Sequence, residues 1–344
     1  MQEENTFAPA IEIMRRHTGI VIPVYFPQEV DNNLGRALLE DNVQAYLTQV
    51  DDPQVICLSV DGERYGKDIA TAIAVRHGVQ VICAAHNKGK LHAVRNGVAH
   101  LCGQATFAYI AGSTSDGDHF ANELLNLVRA AHYATQRVGV ADVLVLGRRI
   151  SRHRPMGLLR GELEELADRV LLDALAYHAA INGTPLRLEC ATTLEEFPDF
   201  HSGFKLFSGA VAQAVFLRPP QLCGVEEVAY FRHGCEAVMS VEALLAGAYL
   251  VLVNRTTLNE QPISTFGLLE RTRMVADKMV WPCKRLGVPG PFVDQWLRNH
   301  MPRLLLPTLI PQGKDELLEI RRLVLEEFAL EAGDDEVMWG PLFV

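Results

Sequence analysis

Short, continuous apolar runs alternate along the chain with segments whose apolar residues recur at helical spacing. Gly19 to Tyr25 (GIVIPVY), Val55 to Val60, Val79 to Ala84, Phe107 to Ala111 and Asp142 to Gly147 read as buried strands. Between them, Asn32 to Gln49, Lys67 to Arg76, Lys90 to Leu101 and Asp118 to Ala134 read as helices. In the first of these Leu34, Leu38, Leu39, Val43, Tyr46 and Leu47 fall on one face. Strict alternation of this kind predicts an α/β fold, with a mostly parallel central sheet covered by helices on both faces. Ligands of such sheets bind beyond the carboxyl ends of the strands, so the polar segments that follow strands are where chemistry is to be sought.

Farther on, Glu162 to Ala180 reads as a long helix, Phe197 to Phe216 mixes polar and apolar residues, and the helix Val238 to Leu245 leads into a strand, Ala248 to Val253. From about Thr256 the pattern changes. Pro262, Pro282, Pro289, Pro291, Pro302, Pro307 and Pro311 break the chain into short helical pieces, and one amphipathic helix, Lys314 to Ala329, follows. Its residues Leu317, Leu318, Ile320, Leu323 and Leu325 either pack within the chain or form a homodimer contact. This gives a short N-terminal tail (1–18), a main domain (19–255, with halves 19–118 and 119–255) and a helical C-terminal extension (256–344) packed on it.

Composition narrows the function classes. Of 344 residues 49% are hydrophobic, enough for a substantial core. The formal charge of −10 argues against a general nucleic-acid binder, which needs Lys and Arg against phosphates, yet leaves room for a local basic pocket. Seven cysteines are scattered without a C-x-x-C pair, which reads as a reducing compartment without zinc finger or disulfide framework. Met1 to Ala10 lacks the basic-then-apolar order of a signal peptide, and the longest apolar run, Ala243 to Val253, is too short to span a bilayer. The expectation is a cytoplasmic protein with no transmembrane segment, with peripheral membrane contact left open.

Three polar segments follow strands. In Ser115-Asp116-Gly117-Asp118, two carboxylates separated by one glycine on a tight turn can converge on one cation. Mg²⁺ takes one or two carboxylates plus substrate phosphates, Mn²⁺ suits similar ligands, and either ion offsets charge on a diphosphate leaving group. The alternative is a polar turn with Asp118 as N-cap of the next helix. In Asn87-Lys88-Gly89-Lys90, a glycine before a helix start offers backbone N–H groups and a favourable dipole to an anion, or is an ordinary strand-to-helix loop. Asp61-Gly62 offers an acceptor for a base or ribose, or is a plain turn.

Taken in order, GIVIPVY, the strand ending in Asp61, HNKGKLHAVRNGV and SDGDHF resemble the nucleotide-binding half of the large inverting GT-A glycosyltransferase family that includes dolichyl-phosphate mannosyltransferases and polysaccharide synthases. Gly147-Arg148-Arg149 resembles that family's strand ending in G-S-R, and Asp199 to Lys205 (DFHSGFK) its D-x-x-S-G-F-R/K segment. Cys235-Glu236, with Glu236 eleven residues before Gly247, resembles its Glu-Asp pair. The likeness covers roughly residues 19 to 255. There are departures. The paired acids after the second strand are Val60-Asp61, the Glu-Asp pair is Cys-Glu, and the synthases' Q-x-x-R-W motif and transmembrane helices are missing.

The resemblance implies a GT-A fold, a UDP- or GDP-sugar donor, a divalent metal (Mn²⁺ or Mg²⁺), and a small-molecule, glycan or lipid-phosphate acceptor. It implies Pro23 and Tyr25 near the donor base, Asp61 on base or ribose, Lys90 near the phosphates, Arg149 on the diphosphate, and Asp116 and Asp118 on the metal. His233 is the expected third metal ligand, with His201 and His119 as rivals, and Glu236 the expected general base. Three other readings stay open. One is a retaining GT-A synthase of a small soluble glycoside with a glycerate-type acceptor. Another is a nucleotidylyltransferase, although the loop Tyr25-Phe26-Pro27-Gln28-Glu29 lacks the Gly-rich basic character of those enzymes. The last is a catalytically degenerate binding or scaffold protein. Phe204, Phe207 and Phe216 line an acceptor groove or belong to the core.

Overall fold

The computed structural model describes residues 7–27, 31–191, 197–258, 260 and 270–333. Gln28, Glu29, Pro262 and the first six residues of the N-terminal tail lie outside them. In chain order the first half runs α1 (Phe7–His17), β1 (Thr18–Val24), α2 (Asn32–Leu47), β2 (Ile56–Val60), α3 (Lys67–His77), β3 (Gln80–Cys83), α4 (Lys90–Cys102), β4 (Tyr109–Gly112), α5 (Leu124–Val138) and β5 (Val143–Arg149). The second half adds α6 (His153–Asn182), β6 (Lys205–Ser208), α7 (Gly209–Phe216), α8 (Cys235–Leu245) and β7 (Tyr249–Arg255). The extension holds α9 (Arg271–Arg285), α10 (Gly290–His300), α11 (Leu306–Leu309) and α12 (Gly313–Glu326).

The seven described strands form one sheet in the order β3-β2-β1-β4-β6-β5-β7. Only β6 runs against its neighbours, β4 and β5; the other pairings are parallel. Every residue of β1, β2 and β4 is buried, as strands covered on both faces require. This is a Rossmann-like α/β architecture, a mostly parallel sheet with helices packed on it, followed by a helical extension.

Three elements differ from the sequence reading. The segment before β1 carries an amphipathic helix, α1, with Ala10 and Met14 buried. The helix after β4 begins at Leu124, after a 3₁₀ turn at Ala121–Glu123, so Asp118 is not its N-cap. The mixed stretch after Phe197 contains the antiparallel strand β6.

The apolar core is continuous from the sheet into the extension. Met279, Val280 and Trp281 of α9 join it, as do Leu317, Ile320 and Val324 of α12. Leu317, Ile320 and Leu325 are therefore buried within the chain itself, the first of the two expectations for α12. Phe204, Phe207 and Phe216 are core residues, with Phe207 and Phe216 packed edge to face.

Candidate active site

Sheet direction gathers the chemistry. All described strands except β6 end at one edge, and β6, running backwards, begins there. Tyr25 follows β1, Asp61 follows β2, and the Ser113-to-Asp118 turn follows β4. Arg149 ends β5, Arg255 ends β7, and Lys205 opens β6. One topological rule thus brings together six polar positions drawn from across the sequence.

The turn after β4 is held from two sides. The Asp118 backbone N–H donates to Asp116 Oδ1 (3.1 Å), and Gly117, at φ +77°, makes the left-handed bend. Arg255 donates from Nη2 to Asp118 Oδ2 (3.0 Å) and from Nη1 to the Asp118 carbonyl (2.9 Å). Its Nε donates to the Gly147 carbonyl (3.1 Å), tying the ends of β5 and β7 to this turn. Asp118 Oδ1 is buried, and no described group hydrogen-bonds to it. Burial raises the Asp118 pKa against the pull of Arg255.

A buried carboxylate oxygen left over beside a half-buried second carboxylate fits a hard divalent cation whose remaining ligands come from phosphate and water. Among the described residues, no three His, Cys, Asp or Glu side chains come together in a group able to hold a metal ion, so His233 does not join Asp116 and Asp118 in one. His233 instead shares a short contact from Nδ1 to Asp277 Oδ2 of α9 (2.7 Å). His201 likewise meets Asp168 through Nδ1 (2.7 Å). His119 stacks on Phe204, with its Nε2 3.9 Å from Asp118 Oδ2. Burial, and then the surrounding cations, push the His119 pKa well down and keep the ring neutral.

The loop before α4 is a backbone cradle closed by Asp61. Its Oδ1 accepts the Lys88 N–H (3.0 Å) and its Oδ2 the Gly89 N–H (2.8 Å). Asp61 therefore organises the Asn87–Lys90 loop with both oxygens. Burial nonetheless raises its pKa. Gly89 has φ +122° and ψ +165°, a region open essentially to glycine alone, and a Cβ there would stand 2.6 Å from the Phe231 carbonyl. The five-residue π-type turn Ala229–His233 lies against this loop, and Arg232 Nη2 donates to Asn87 Oδ1 (2.5 Å).

Next to the cradle, Lys90 Nζ donates to Glu236 Oε1 (2.9 Å), joining the first residue of α4 to the first turn of α8. Burial opposes the charge of Glu236, but the ammonium groups of Lys90, Lys278 and Lys205 outweigh it and bring its pKa to about 2. Lys205 is fully buried, donates to the carbonyls of Phe200 (2.8 Å) and Ser202, and is brought by burial to a pKa of about 8.

Arg149 lies inside a buried ionic network. Its Nε (2.9 Å) and Nη2 (2.5 Å) donate to Asp199, and its Nη1 donates to Glu164 (2.8 Å). Arg152 bridges Asp168 and Asp199. The guanidinium expected at the diphosphate is thus engaged with Asp199, from the same DFHSGFK segment that the sequence marked. Pro23 is buried within β1 opposite Ser59, and half-buried Tyr25 packs its ring on Tyr65 (4.9 Å).

Arg255, Lys205 and Asp199 are the site residues to which sequence reasoning gave no role. Arg255 and Lys205 are charged residues at strand ends on the functional edge, and Asp199 and Lys205 belong to the DFHSGFK segment; these are the signals the sequence carries for them.

No family model matches the chain, and no curated protein is significantly similar to it. Solved structures are similar at low identity. A mannosyltransferase from Pyrobaculum calidifontis, in complex with GDP-Man and Mn²⁺, superposes with TM-score 0.47 and 13% identity, over 92% of this chain and 73% of that one. TarS 1-349 of S. aureus, in complex with UDP, gives 0.43 and 11%, over 91% and 89%. CMP:2-keto-3-deoxy-manno-octonic acid synthetase complexed with CTP gives 0.40 and 10%, over 71% and 93%. At these scores the reading of the site rests on this chain's own residues.

Proposed function

We propose that the protein is a metal-dependent glycosyltransferase that moves a sugar from a UDP- or GDP-sugar to a hydroxyl acceptor with inversion. The observation that carries this is the pairing, at one sheet edge, of an acidic turn with an unused buried oxygen on Asp118 and a cradle ending in Lys90 and Glu236. Asp116 and Asp118 would hold a Mn²⁺ or Mg²⁺ ion, which when bound supplies charge against the diphosphate. Arg255 fixes the Asp118 carboxylate so that Oδ1 stays presented. Lys90, at a helix N-terminus, binds the phosphates. Tyr25 offers a ring face to the base.

In the transfer step the acceptor oxygen attacks the anomeric carbon while its proton passes to Glu236. The new C–O bond forms as the bond from that carbon to the phosphate oxygen breaks, and the electron pair leaves with the nucleoside diphosphate. The test is release of nucleoside diphosphate from a panel of UDP- and GDP-sugars with Mn²⁺. Turnover of one donor, falling at least about a hundredfold in Glu236→Gln, is expected. A folded enzyme that turns over a donor equally well as Glu236→Gln contradicts the role given to that residue.

The engagement of Glu236 with three lysines favours a second reading, a retaining synthase of a small glycoside, which has no need of a base at this position. The anomeric configuration of the product, read by NMR, separates the two.

A further inference from the structure

The Lys90–Glu236 pair joins two groups that the proposed reaction needs for different partners. Lys90 serves the diphosphate of the donor; Glu236 serves the proton of the acceptor. In the structure each is engaged with the other, at 2.9 Å, where the N-termini of α4 and α8 converge. We propose that Lys90 exchanges partners, holding Glu236 in the free protein and passing to the diphosphate when the donor binds, so that Glu236 is released for the acceptor only in the donor complex. This rests on the nucleotide-sugar reading of the site.

Three observations support the exchange. First, the Glu236 side chain keeps 16% of its surface exposed and also lies in the field of Lys278 and Lys205, so the departure of Lys90 does not strand a sealed, unpaired carboxylate, the situation that makes breaking most buried pairs expensive. Second, Lys90 has room to move. Position 203 is glycine, and a Cβ there would stand 3.0 Å from Lys90 Nζ and 3.2 Å from His119 Cε1. The Lys90 side chain as a whole also keeps 30% of its surface exposed. Third, the loop directly ahead of Lys90 is fixed by Asp61, which already accepts the Lys88 and Gly89 N–H groups and so leaves the Lys90 ammonium, not those two amides, to meet a diphosphate. A diphosphate placed there presents more charge to Lys90 than one carboxylate does. With Lys90 withdrawn, Glu236 loses the ammonium that donates to it at 2.9 Å and becomes a better proton acceptor. Donor binding would thus precede productive acceptor binding.

The experiment is a double-mutant cycle on nucleotide affinity, measured by calorimetry with UDP and GDP, Mn²⁺ present and acceptor absent. If the two anions compete for Lys90, Glu236→Gln tightens nucleoside diphosphate binding by about fivefold or more over the wild type. Lys90→Gln weakens it, and the Glu236→Gln gain disappears in the Lys90→Gln background. Thermal melting of each variant verifies folding. Unchanged or weaker binding in folded Glu236→Gln, while Lys90→Gln still weakens binding, overturns the exchange and leaves the nucleotide site standing. A gain that persists without Lys90 also overturns it, because the effect is then general electrostatics. If folded wild type binds neither UDP nor GDP, the nucleotide reading itself fails and the exchange falls with it.

Discussion

Arg255 shows how much one side chain determines at this site. It is almost fully buried, and its guanidinium reaches the Asp118 carboxylate, the Asp118 carbonyl and the Gly147 carbonyl. Removing the charge while keeping the bulk, as in Arg255→Met, leaves Asp118 buried and unpaired. The expected loss is about 3–5 kcal/mol of unfolding free energy, measured by urea titration. A loss under about 1 kcal/mol would mean that Asp118 reaches solvent in a way that the structure does not show. Glu236 supplies a pH signature. Its pKa in the folded protein, about 2, lies below its ordinary value of 4.5. Its ionised form therefore adds stability that is complete above pH 4.5 and is lost as pH falls towards 2. The stability gap between wild type and Glu236→Gln should shrink on acidification through that window, as read from melting temperatures at stepped pH. A constant gap would show that Glu236 is not held acidic by its lysines.

At the scale of elements, the strands read easily where burial on both faces writes them as unbroken apolar runs. That is why β1, β2, β4 and β5 were legible in the sequence; the edge strands β3 and β7 are less buried but still carry apolar runs. β6 was not. It is four residues long, opens with a lysine, and pairs antiparallel between β4 and β5, an insertion that local pattern cannot signal. Side-chain roles were less legible still. Asp116, Asp118, Lys90 and Glu236 stand out because motif spacing marks them. The partner that fixes Asp118 comes 137 residues later, and a strand-terminal arginine looks like any surface charge. Asp61 and Arg149 were marked by their positions, but the groups that engage them, the loop backbone and Asp199, depend on tertiary packing. The cradle before α4 carries its own prediction. Gly89→Ala places a methyl group against the Phe231 carbonyl in a backbone region that costs about 1–3 kcal/mol for a non-glycine residue. Unfolding free energy should drop by at least that much, and nucleotide binding should weaken with it. A variant with wild-type stability would show that the loop relaxes freely.

The whole molecule is one packed body over the described residues, with the extension contributing to the core and also to the edge of the site. Asp277 of α9 meets His233, and Lys278 of the same helix faces both Glu164 and Glu236. The C-terminal helices thus help set the charge balance of a site built mainly from the sheet. Among the described residues no helix is long and apolar enough to cross a membrane. In the proposed function this edge binds a nucleoside diphosphate through a metal held by Asp116 and Asp118. The first test of this binding is the thermal stability of the 344-residue chain with UDP or GDP, with and without Mn²⁺. A ligand at a hundred times its Kd stabilises the folded state by about 2.7 kcal/mol. The expected result is a rise with one nucleotide that requires Mn²⁺ and is lost in Asp116→Ala, a variant that spares the Asp118–Arg255 pair. A folded protein whose melting temperature neither nucleotide raises, with or without the metal, would contradict it.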